Sequence, residues 1–253
     1  MAKRSELAAA GDDSHPLWFT PPVVTQDRRR ALTRERVVAE ALTVIGADGM
    51  DALSMRALAT RLGVVPGALY RHVRNKEQLQ DLVLDAVLAE VDCELDPSLP
   101  WTEQVTVLAH RLRTVLEAHP GIAAVLKTRD PLGPHSLALA DAFLTPLHAA
   151  GLPERDTGLA YSLVYDYTLG FALSGRTSVN EQRVQDAATR ARLHAFFRSL
   201  PADRFPALVT LGEHVWVDNR EERFTAGLDT LIDGLEAGRR RRRRRRGSRE
   251  PVR

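Results

Sequence analysis

"RLGVVPGALYRHVRNKEQL", residues Arg61–Leu79, holds the end of one short helix and the whole of the next. Gly63 is placed to stop a helix, because glycine readily takes the left-handed conformation of a helix C-cap. Pro66 suits the first turn of the following helix, where its missing N–H costs nothing. Leu69 and Val73 then face a core, which leaves the polar and aromatic residues between them on the outside.

Helical patterns precede and follow this stretch. An apolar face at three- and four-residue steps predicts a first helix, and Thr33 can cap its start. Ser54 can cap a short second helix in the same way. Asn75 begins a fourth helix, with Gln78 at the position that reaches back to the cap.

Two short helices joined by a tight turn form a helix-turn-helix. Ala59 is small where the two helices cross, Gly63 follows four residues later in the turn, and Leu69 anchors the second helix. Such a helix fits the major groove of DNA, where its first residues touch base edges. The candidate DNA-binding residues are Thr33, Arg56, Pro66, Gly67, Ala68, Tyr70, His72 and Lys76.

These side chains suit different parts of a duplex. The Ala68 methyl can meet a thymine methyl, whereas Tyr70, His72 and Lys76 can reach phosphate oxygens. Arg56 can reach either a guanine edge or a phosphate. Taken alone, Tyr70 and His72 could be ordinary surface groups of a small bundle, but the spacing of the motif and the local charge favour DNA binding.

Charge is unevenly distributed along the chain. The formal net charge is +2, but residues 1–80 hold 12 Lys/Arg against 9 Asp/Glu, residues 81–238 hold 13 against 23, and residues 239–253 hold 10 against 1. The acidic middle repels DNA, whereas both ends can approach it. The motif lies in the basic first segment, so charge and motif agree.

Length and composition indicate one or two domains with a core, since the chain has 253 residues of which 44% are hydrophobic. Cys93 is the only cysteine, which excludes an intrachain disulfide and favours a reducing compartment. There is no run of about 18 apolar residues that would span a membrane, and the start lacks the apolar segment of a secretion signal. We expect a cytoplasmic protein without a membrane partner.

The rest of the chain keeps a helical pattern and no sustained alternation, so the fold class is all-α. Helices are expected at about 102–118, 121–128, 134–150, 155–176, 186–199, 206–212 and 218–237. The predicted divisions are a flexible arm (1–27), a three-helix helix-turn-helix domain (28–78), a larger helical domain for effector binding and dimerisation (79–238) and an arginine-rich disordered tail (239–253). Trp18 and Phe19 in the arm either dock on a partner or are exposed.

The first domain resembles the TetR family of bacterial transcriptional regulators through "ALSMRALATRLGVVPGALYRHVRNKEQLQDLVLDAVL". Later stretches are similar, in order, to the C-terminal domain type of the tetracycline repressor: "HPGIAAVLKTRDPLGPHSLALADAFLTPLHAAGL", "YTLGFALSG" and "ERFTAGLDTLIDGLEAG". The resemblance covers about 31–238. It implies a homodimer that reads a palindromic operator and binds a small inducer, with the fourth helix carrying the motion. Val65 departs from the family, which often has a Ser or Thr cap there.

The resemblance also bears on the effector. The tetracycline repressor holds a magnesium–tetracycline chelate with a histidine and a glutamate, and the matching places here are Val125 (or Leu126) and Ser174. Because magnesium prefers oxygen donors such as carboxylates, we expect no metal and no other cofactor, and a small, largely apolar effector. The candidate contacts are His110, Leu116, Val125, Arg129, Phe143, Leu147, Tyr161 and Tyr165. Arg129 could instead hold its own loop together.

Two helices of the C-terminal domain are expected to pair with their twofold mates. The candidate interface residues are Leu159, Leu163, Leu169, Phe224, Leu228 and Leu231. The run Arg239–Arg246 either adds nonspecific DNA affinity or is a solvated tail without a role.

The favoured function is a repressor released from DNA by a small molecule. A ligand-responsive activator and an effector-independent architectural DNA-binding protein remain alternatives, although the latter would not need the large acidic domain. An enzyme is not expected, because no GxSxG, P-loop, GxGxxG or HExxH motif occurs.

Overall fold

Helical spacing along the chain leads to an all-α structure, as the sequence predicts. The computed structural model describes residues 32–119, 121–127, 129, 132–174, 187–216 and 220–247. Within these ranges the regular elements are helical and no strand occurs. The predicted N-terminal arm with Trp18 and Phe19 lies outside the described residues, as do residues 28–31 of the predicted head and residues 248–253.

Four helices form the N-terminal part of the structure: α1 (Arg34–Asp48), α2 (Met55–Leu62), α3 (Pro66–Leu69) and α4 (Lys76–Leu88), with a 3-10 turn at Met50–Ala52 between the first two. We call α1 to α3 the head. The fourth helix was expected to reach about Asp92 but ends at Leu88, with Ala89 as its C-cap.

Side chains cap these helices at the predicted positions. Oγ1 of Thr33 and Oγ of Ser54 each accept the backbone N–H three residues later, at 3.2 and 3.1 Å. Oδ1 of Asn75 accepts the N–H of Gln78 at 2.8 Å. The side-chain oxygen of Gln78 in turn accepts the N–H of Arg74, one residue before the cap. These bonds satisfy backbone donors that a helix start leaves unpaired, so the sequence fixes these boundaries locally.

The described residues of the C-terminal part form seven helices: α5 (Trp101–Ala118), α6 (Ile122–Leu126), α7 (Pro134–Ala149), α8 (Glu154–Ser174), α9 (Ala187–Arg198), α10 (Pro206–Trp216) and α11 (Arg220–Gly247). Their positions match the predicted helices to within a few residues, except that α10 and α11 run further. α5, α7 and α8 pack against one another.

The apolar core is continuous from the head into the C-terminal part. Val37 of α1, Leu108 of α5 and Ile232 of α11 belong to one cluster of buried side chains. α4 connects the two parts of the core, because it packs against α1 of the head and against α5, α6 and α7 of the C-terminal part. A displacement of the C-terminal helices therefore acts on the head through packed side chains.

The arginine run is the main difference from the predicted organisation. The expectation of a disordered segment from residue 239 is wrong for residues 239–247, because α11 continues through them to Gly247. Arg239 donates to the carbonyl oxygen of Ala150 at 3.0 Å and pairs with Glu236. Arg242 pairs with Asp156 of α8. These contacts fix the arginine-rich turns against the domain and offset the repulsion expected from like charges.

Candidate DNA-binding head and effector region

The α2–α3 pair has the geometry of a helix-turn-helix. Gly63 takes a left-handed conformation with φ of +69°, and the next residue, Val64, donates to the carbonyl oxygen of Ala59 at 3.0 Å. These are the bonds of a glycine-terminated helix end. Ala59 is buried at the crossing, and Leu69 anchors α3 in the core. All three residues play the parts that their spacing predicts.

α3 presents a small surface with few side chains of its own. Pro66 and Gly67 are exposed, Ala68 is half-buried, and the ring of Tyr70 at the end of the helix is 54% exposed. Val65 is 71% exposed and makes no side-chain cap bond. The short backbone-rich start of α3 can thus approach base edges closely, while Tyr70 stands beside it.

His72 lies in the turn after α3 and is half-buried. Burial lowers the pKa of its imidazole below 6.5, and the positive charges of Arg34 and Arg71 act in the same direction, against the opposing effect of Glu35. Nε of Arg34 also donates to the backbone oxygen of His72 at 3.3 Å, which ties this turn to α1. At neutral pH the ring is therefore uncharged, and it can offer a phosphate one N–H but no full charge.

Cations surround this surface. Arg56 is exposed in the first turn of α2, and Lys76 begins α4. Thr33 is exposed, and its hydroxyl accepts the N–H that caps α1 and hydrogen-bonds the carboxylate of Glu35. Arg71 was not among the predicted contacts, yet it is exposed between Tyr70 and His72. Its place on the outward side of the turn is the sequence signal by which Arg71 could have been predicted as a DNA contact.

A buried carboxylate joins α4 to α7. Asp85 is only 2% exposed, and its Oδ1 accepts the backbone N–H groups of His135 and Ser136, both at 3.0 Å. Its Oδ2 lies 2.7 Å from Nδ1 of His135. The start of α7 has no cap from its own preceding residue, Gly133. Asp85 thus serves as the cap of α7, where the helix dipole also favours a negative charge.

Arg129 forms a second link to α4. Its Nε donates to Oδ1 of Asp81 at 2.9 Å, and its terminal nitrogen lies 2.8 Å from the same oxygen. The guanidinium also lies 3.5 Å from the backbone oxygen of Glu77. Arg129 was predicted to contact the effector, but the structure places its guanidinium against α4, in agreement with the alternative that it holds its loop. Asp81 and Asp85 were missed in the sequence.

The other predicted effector residues fall into two groups. Phe143 and Leu147 of α7 are buried, and the rings of Phe143, Tyr161 and Tyr165 form a series with centroids 6.1 and 5.7 Å apart. Leu116 is buried and Val125 half-buried on α5 and α6. His110 takes part in different contacts, with its ring edge against Phe224 at 5.0 Å and Nδ1 3.4 Å from Glu221.

The predicted dimer surface is partly wrong. Phe224 and Leu228 are fully buried and Leu169 nearly so within the chain's own core, so they cannot face a second subunit. Phe224 packs between Tyr167 at 5.4 Å and the guanidinium of Arg113 at 4.4 Å. These three residues hold α5, α8 and α11 together.

Other apolar side chains do face outward. Leu159 and Leu163 of α8 are 57% and 43% exposed, and Leu231 of α11 is half-buried. α9 and α10 pack against each other and leave Phe196, Phe205 and Leu211 exposed. These last residues are not among those predicted from the sequence. An outward apolar surface of this kind is typical of a subunit interface.

The described residues lack two kinds of feature. They contain no group of three or more His, Cys, Asp or Glu side chains that could hold a metal ion. They also contain no helix long and apolar enough to cross a membrane. Val125 and Leu126 occupy α6, and Ser174 at the end of α8 donates its hydroxyl to the backbone oxygen of Gly170.

Two family models match the chain. Residues 37–82 match the bacterial regulatory proteins of the tetR family, and residues 96–239 match the tetracyclin repressor-like C-terminal domain. The first match contains the helix-turn-helix and most of α4. The second contains α5 to α10 and ends where the arginine run begins.

Individual proteins show the same likeness. An HTH-type transcriptional regulator of Saccharopolyspora erythraea is 34% identical over 82% of this chain and 86% of its own length. The HTH-type transcriptional repressor DrrR1 of Streptomyces coeruleorubidus is 29% identical over 93% and 90%. The structure of ActR from Streptomyces coelicolor in complex with actinorhodin superposes with a TM-score of 0.74, at 34% identity over 83% of this chain and 99% of that one. The chain belongs to the TetR family of DNA-binding transcriptional regulators.

Proposed function

We propose that this regulator is a repressor whose homodimer binds a palindromic operator and releases it when a small, largely apolar molecule binds the C-terminal domain. The observation that carries the proposal is the double link of α4 to the effector region, through Asp85 at the start of α7 and Asp81 on Arg129. The name of the relative DrrR1 supports repression. A ligand-responsive activator would use the same contacts within the protein, but its operator would lie at a different position relative to the regulated gene.

The DNA-reading step follows from the surface of α3. Its exposed start enters the major groove, with Gly67 and Ala68 close to base edges and Tyr70 against the backbone. Lys76 at the start of α4 and His72 in the preceding turn add contacts to phosphate oxygens. Two such heads bind successive major grooves when they lie about 34–36 Å apart. The twofold symmetry of the dimer is the reason for expecting a palindrome.

The release step is a change in that spacing. An effector that binds better to the dimer with separated heads shifts the population by the difference between its two affinities. Movement of α6 or α7 reaches α4 directly, because Arg129 and the start of α7 are both bonded to carboxylates of α4. The core is continuous at this point, so α4 moves together with the head.

The effector is expected to lie against the aromatic series of α7 and α8. Phe143, Tyr161 and Tyr165 offer apolar faces, and the two tyrosine hydroxyls can orient a ligand through hydrogen bonds. Actinorhodin bound to the similar protein ActR supports an organic ligand of this domain type. A magnesium chelate is not expected, because Val125, Leu126 and Ser174 offer no carboxylate or imidazole at the family's metal-binding places.

The test is fluorescence anisotropy with DNA from the regions flanking the protein's own gene, repeated with a panel of apolar natural products and antibiotics. Tight binding to a palindromic segment, released by one compound, is the expected result. Binding of equal strength to random and palindromic DNA would contradict the proposal and favour an architectural protein.

Arg129→Gln makes this test specific to the mechanism. The variant loses the charged link to Asp81 but leaves the head unchanged, so it should bind DNA like the wild type and need more effector for release. A typical coupling energy of about 1–3 kcal/mol corresponds to about a 5- to 150-fold shift in the effector concentration. Arg155→Gln, an exposed position in the first turn of α8, is the matched control.

A further inference from the structure

We propose that the arginine end of α11, residues Arg239–Arg246, is a second DNA-binding site, which holds another duplex regardless of its sequence. α11 carries these residues as a continuation of one helix that ends at Gly247. The match to the C-terminal family model stops at residue 239, so the basic segment is an addition to the matched domain. The proposal is separate from operator binding by the head.

The direction of α11 is set by its contacts with α8. At its start, Arg220 donates to the backbone oxygen of Phe171, near the end of α8, at 2.7 Å. Near its other end, Arg242 pairs with Asp156 in the first turn of α8. The two helices therefore run antiparallel, and the arginines lie at the end where α8 begins.

This end is remote from the head. Arg239 donates to the carbonyl oxygen of Ala150, the C-cap of α7. The opposite end of α7 is the one that Asp85 of α4 caps. α7 has 16 residues, so at 1.5 Å per residue about 24 Å separate the arginine end from the contact with α4. The proposal therefore assigns to the arginines a segment of DNA other than the one that the two heads hold.

Only part of the arginine charge is neutralised within the chain. Glu236 binds Arg239 and Arg240, each at 2.8 Å, and these hydrogen bonds lower the pKa of the Glu236 carboxyl to about 2. Arg241 and Arg244 are exposed, and no carboxylate among the described side chains pairs with them. The far side of the domain thus presents uncompensated guanidinium groups on a helix that is already formed.

The composition of this segment favours DNA over other polyanions. A membrane-surface helix needs an apolar face, and residues 239–246 have none because all eight are arginines. A basic helix fits the wide major groove of B-form DNA, as in basic-region proteins, but not the deep, narrow groove of an RNA duplex. Arginine also binds phosphate oxygens in a bidentate manner.

The expected strength follows from counterion release. Arg241 and Arg244 of two subunits would neutralise about four phosphates, and each phosphate contributes a slope of about −0.9 in log K against log salt. Affinity for a random duplex should then fall about 100-fold between about 50 and 200 mM salt. Phosphates would also relieve the repulsion between like charges one turn apart.

The experiment measures the anisotropy of a short fluorescent duplex of random sequence with the full chain and three variants. One variant replaces Arg239–Arg246 by glutamine, which keeps helix propensity but removes the charge. A second replaces them by lysine and keeps the charge. The third is Arg56→Ala with Tyr70→Ala and Lys76→Ala, which disables the head. The glutamine variant should lose the salt-dependent binding, and the other two should retain most of it.

A capture assay then tests for a second duplex. Beads carrying DNA from beside the protein's own gene should retain the fluorescent random duplex with wild-type protein and release it with the glutamine variant, which still binds the beads. Retention of bead binding also shows that the variant is folded. If the head variant loses all random-duplex binding, or if the glutamine variant binds as well as wild type, the second site does not exist. Stronger binding to anionic phospholipid vesicles than to DNA would overturn the choice of partner.

The two proposals fail separately. If no operator is found, the difference in random-duplex binding between the wild type and the glutamine variant still reports on the arginines. If the arginines have no role, the glutamine variant binds and releases the operator like the wild type.

Discussion

Asp85→Asn tests the bond between α4 and α7 on which the proposed effector release depends. The carboxylate accepts two backbone N–H groups at 3.0 Å through Oδ1, and its Oδ2 faces Nδ1 of His135 at 2.7 Å. The substitution keeps the size of the side chain, removes its charge and places an amide NH2 where one acceptor oxygen was. Its effect is therefore electrostatic, with little change in packing.

The magnitude can be worked from these contacts. A negative charge at a partly buried helix N-terminus contributes up to about 2 kcal/mol, and a hydrogen bond to a charged group contributes about 1.5–3 kcal/mol. Since the amide oxygen of asparagine can keep the two Oδ1 bonds at neutral strength, we expect the free energy of unfolding to fall by about 2–3 kcal/mol. At about 2–4 °C per kcal/mol for a chain of this size, Tm should fall by about 4–12 °C.

Two assays check this prediction together. Thermal unfolding followed by circular dichroism gives the change in Tm, and operator anisotropy at increasing effector concentration gives the change in coupling. Asp141→Asn on the exposed side of α7 is the control for a lost surface charge. If Asp85→Asn melts and responds to effector like Asp141→Asn, the carboxylate neither caps α7 nor transmits the signal.

The other predictions concern the head and the dimer. Leu69→Ala leaves a cavity at a fully buried position of the helix-turn-helix. The variant should lose about 2–5 kcal/mol of unfolding free energy and no longer bind the operator. A variant as stable in urea as the wild type would contradict the fold of the head. Leu159→Asp should dissociate the dimer in analytical ultracentrifugation, whereas Leu137→Asp, an exposed leucine of α7, should not. Burial lowers the pKa of the His72 imidazole below 6.5 in the folded protein. As the pH falls through about 6.5, the imidazole is therefore protonated more readily in the unfolded chain, and the free energy of unfolding decreases. His72→Gln should reduce this decrease, as measured by urea titrations at two pH values.

The head shows what local sequence physics can predict. Thr33, Ser54 and Asn75 each accept the backbone N–H three residues later, as their place before an apolar run indicates. Gly63 has the left-handed conformation that a helix end requires. These features depend on neighbours within four residues, so they can be predicted from the local sequence alone.

The dimer residues show where the same reasoning stops. A stripe of leucines and a phenylalanine on α8 and α11 predicts a buried face but does not say which partner covers it. In the structure Phe224 and Leu228 face the chain's own core, and Leu159 and Leu163 face outward on the same pair of helices. Helical period alone cannot separate the two cases when both faces are apolar.

The arginine run shows a different limit. Charge composition predicts a repelling, unfolded segment, but the preceding turns of α11 are already held by Ile232 and its neighbours in the core. Two carboxylates then offset part of the repulsion. Glu236 binds Arg239 and Arg240, which lie three and four residues later, and Asp156 pairs with Arg242, which lies 86 residues later. Only the first of these partners can be read from local spacing.

Asp85 could have been identified in the sequence by a feature other than helical periodicity. Asp85 stands among Leu82, Val83, Leu84, Val87 and Leu88, in the last two turns of a helix, where all the other residues are apolar. A helix of that kind is buried, and a carboxylate buried with it must have hydrogen-bond donors from elsewhere. The sequence therefore indicates that a partner exists for Asp85 but not that it is the start of α7, 50 residues away. Because Lys76 at the start of α4 belongs to the candidate DNA-binding surface, one helix carries both a residue of that surface and the carboxylate that caps α7.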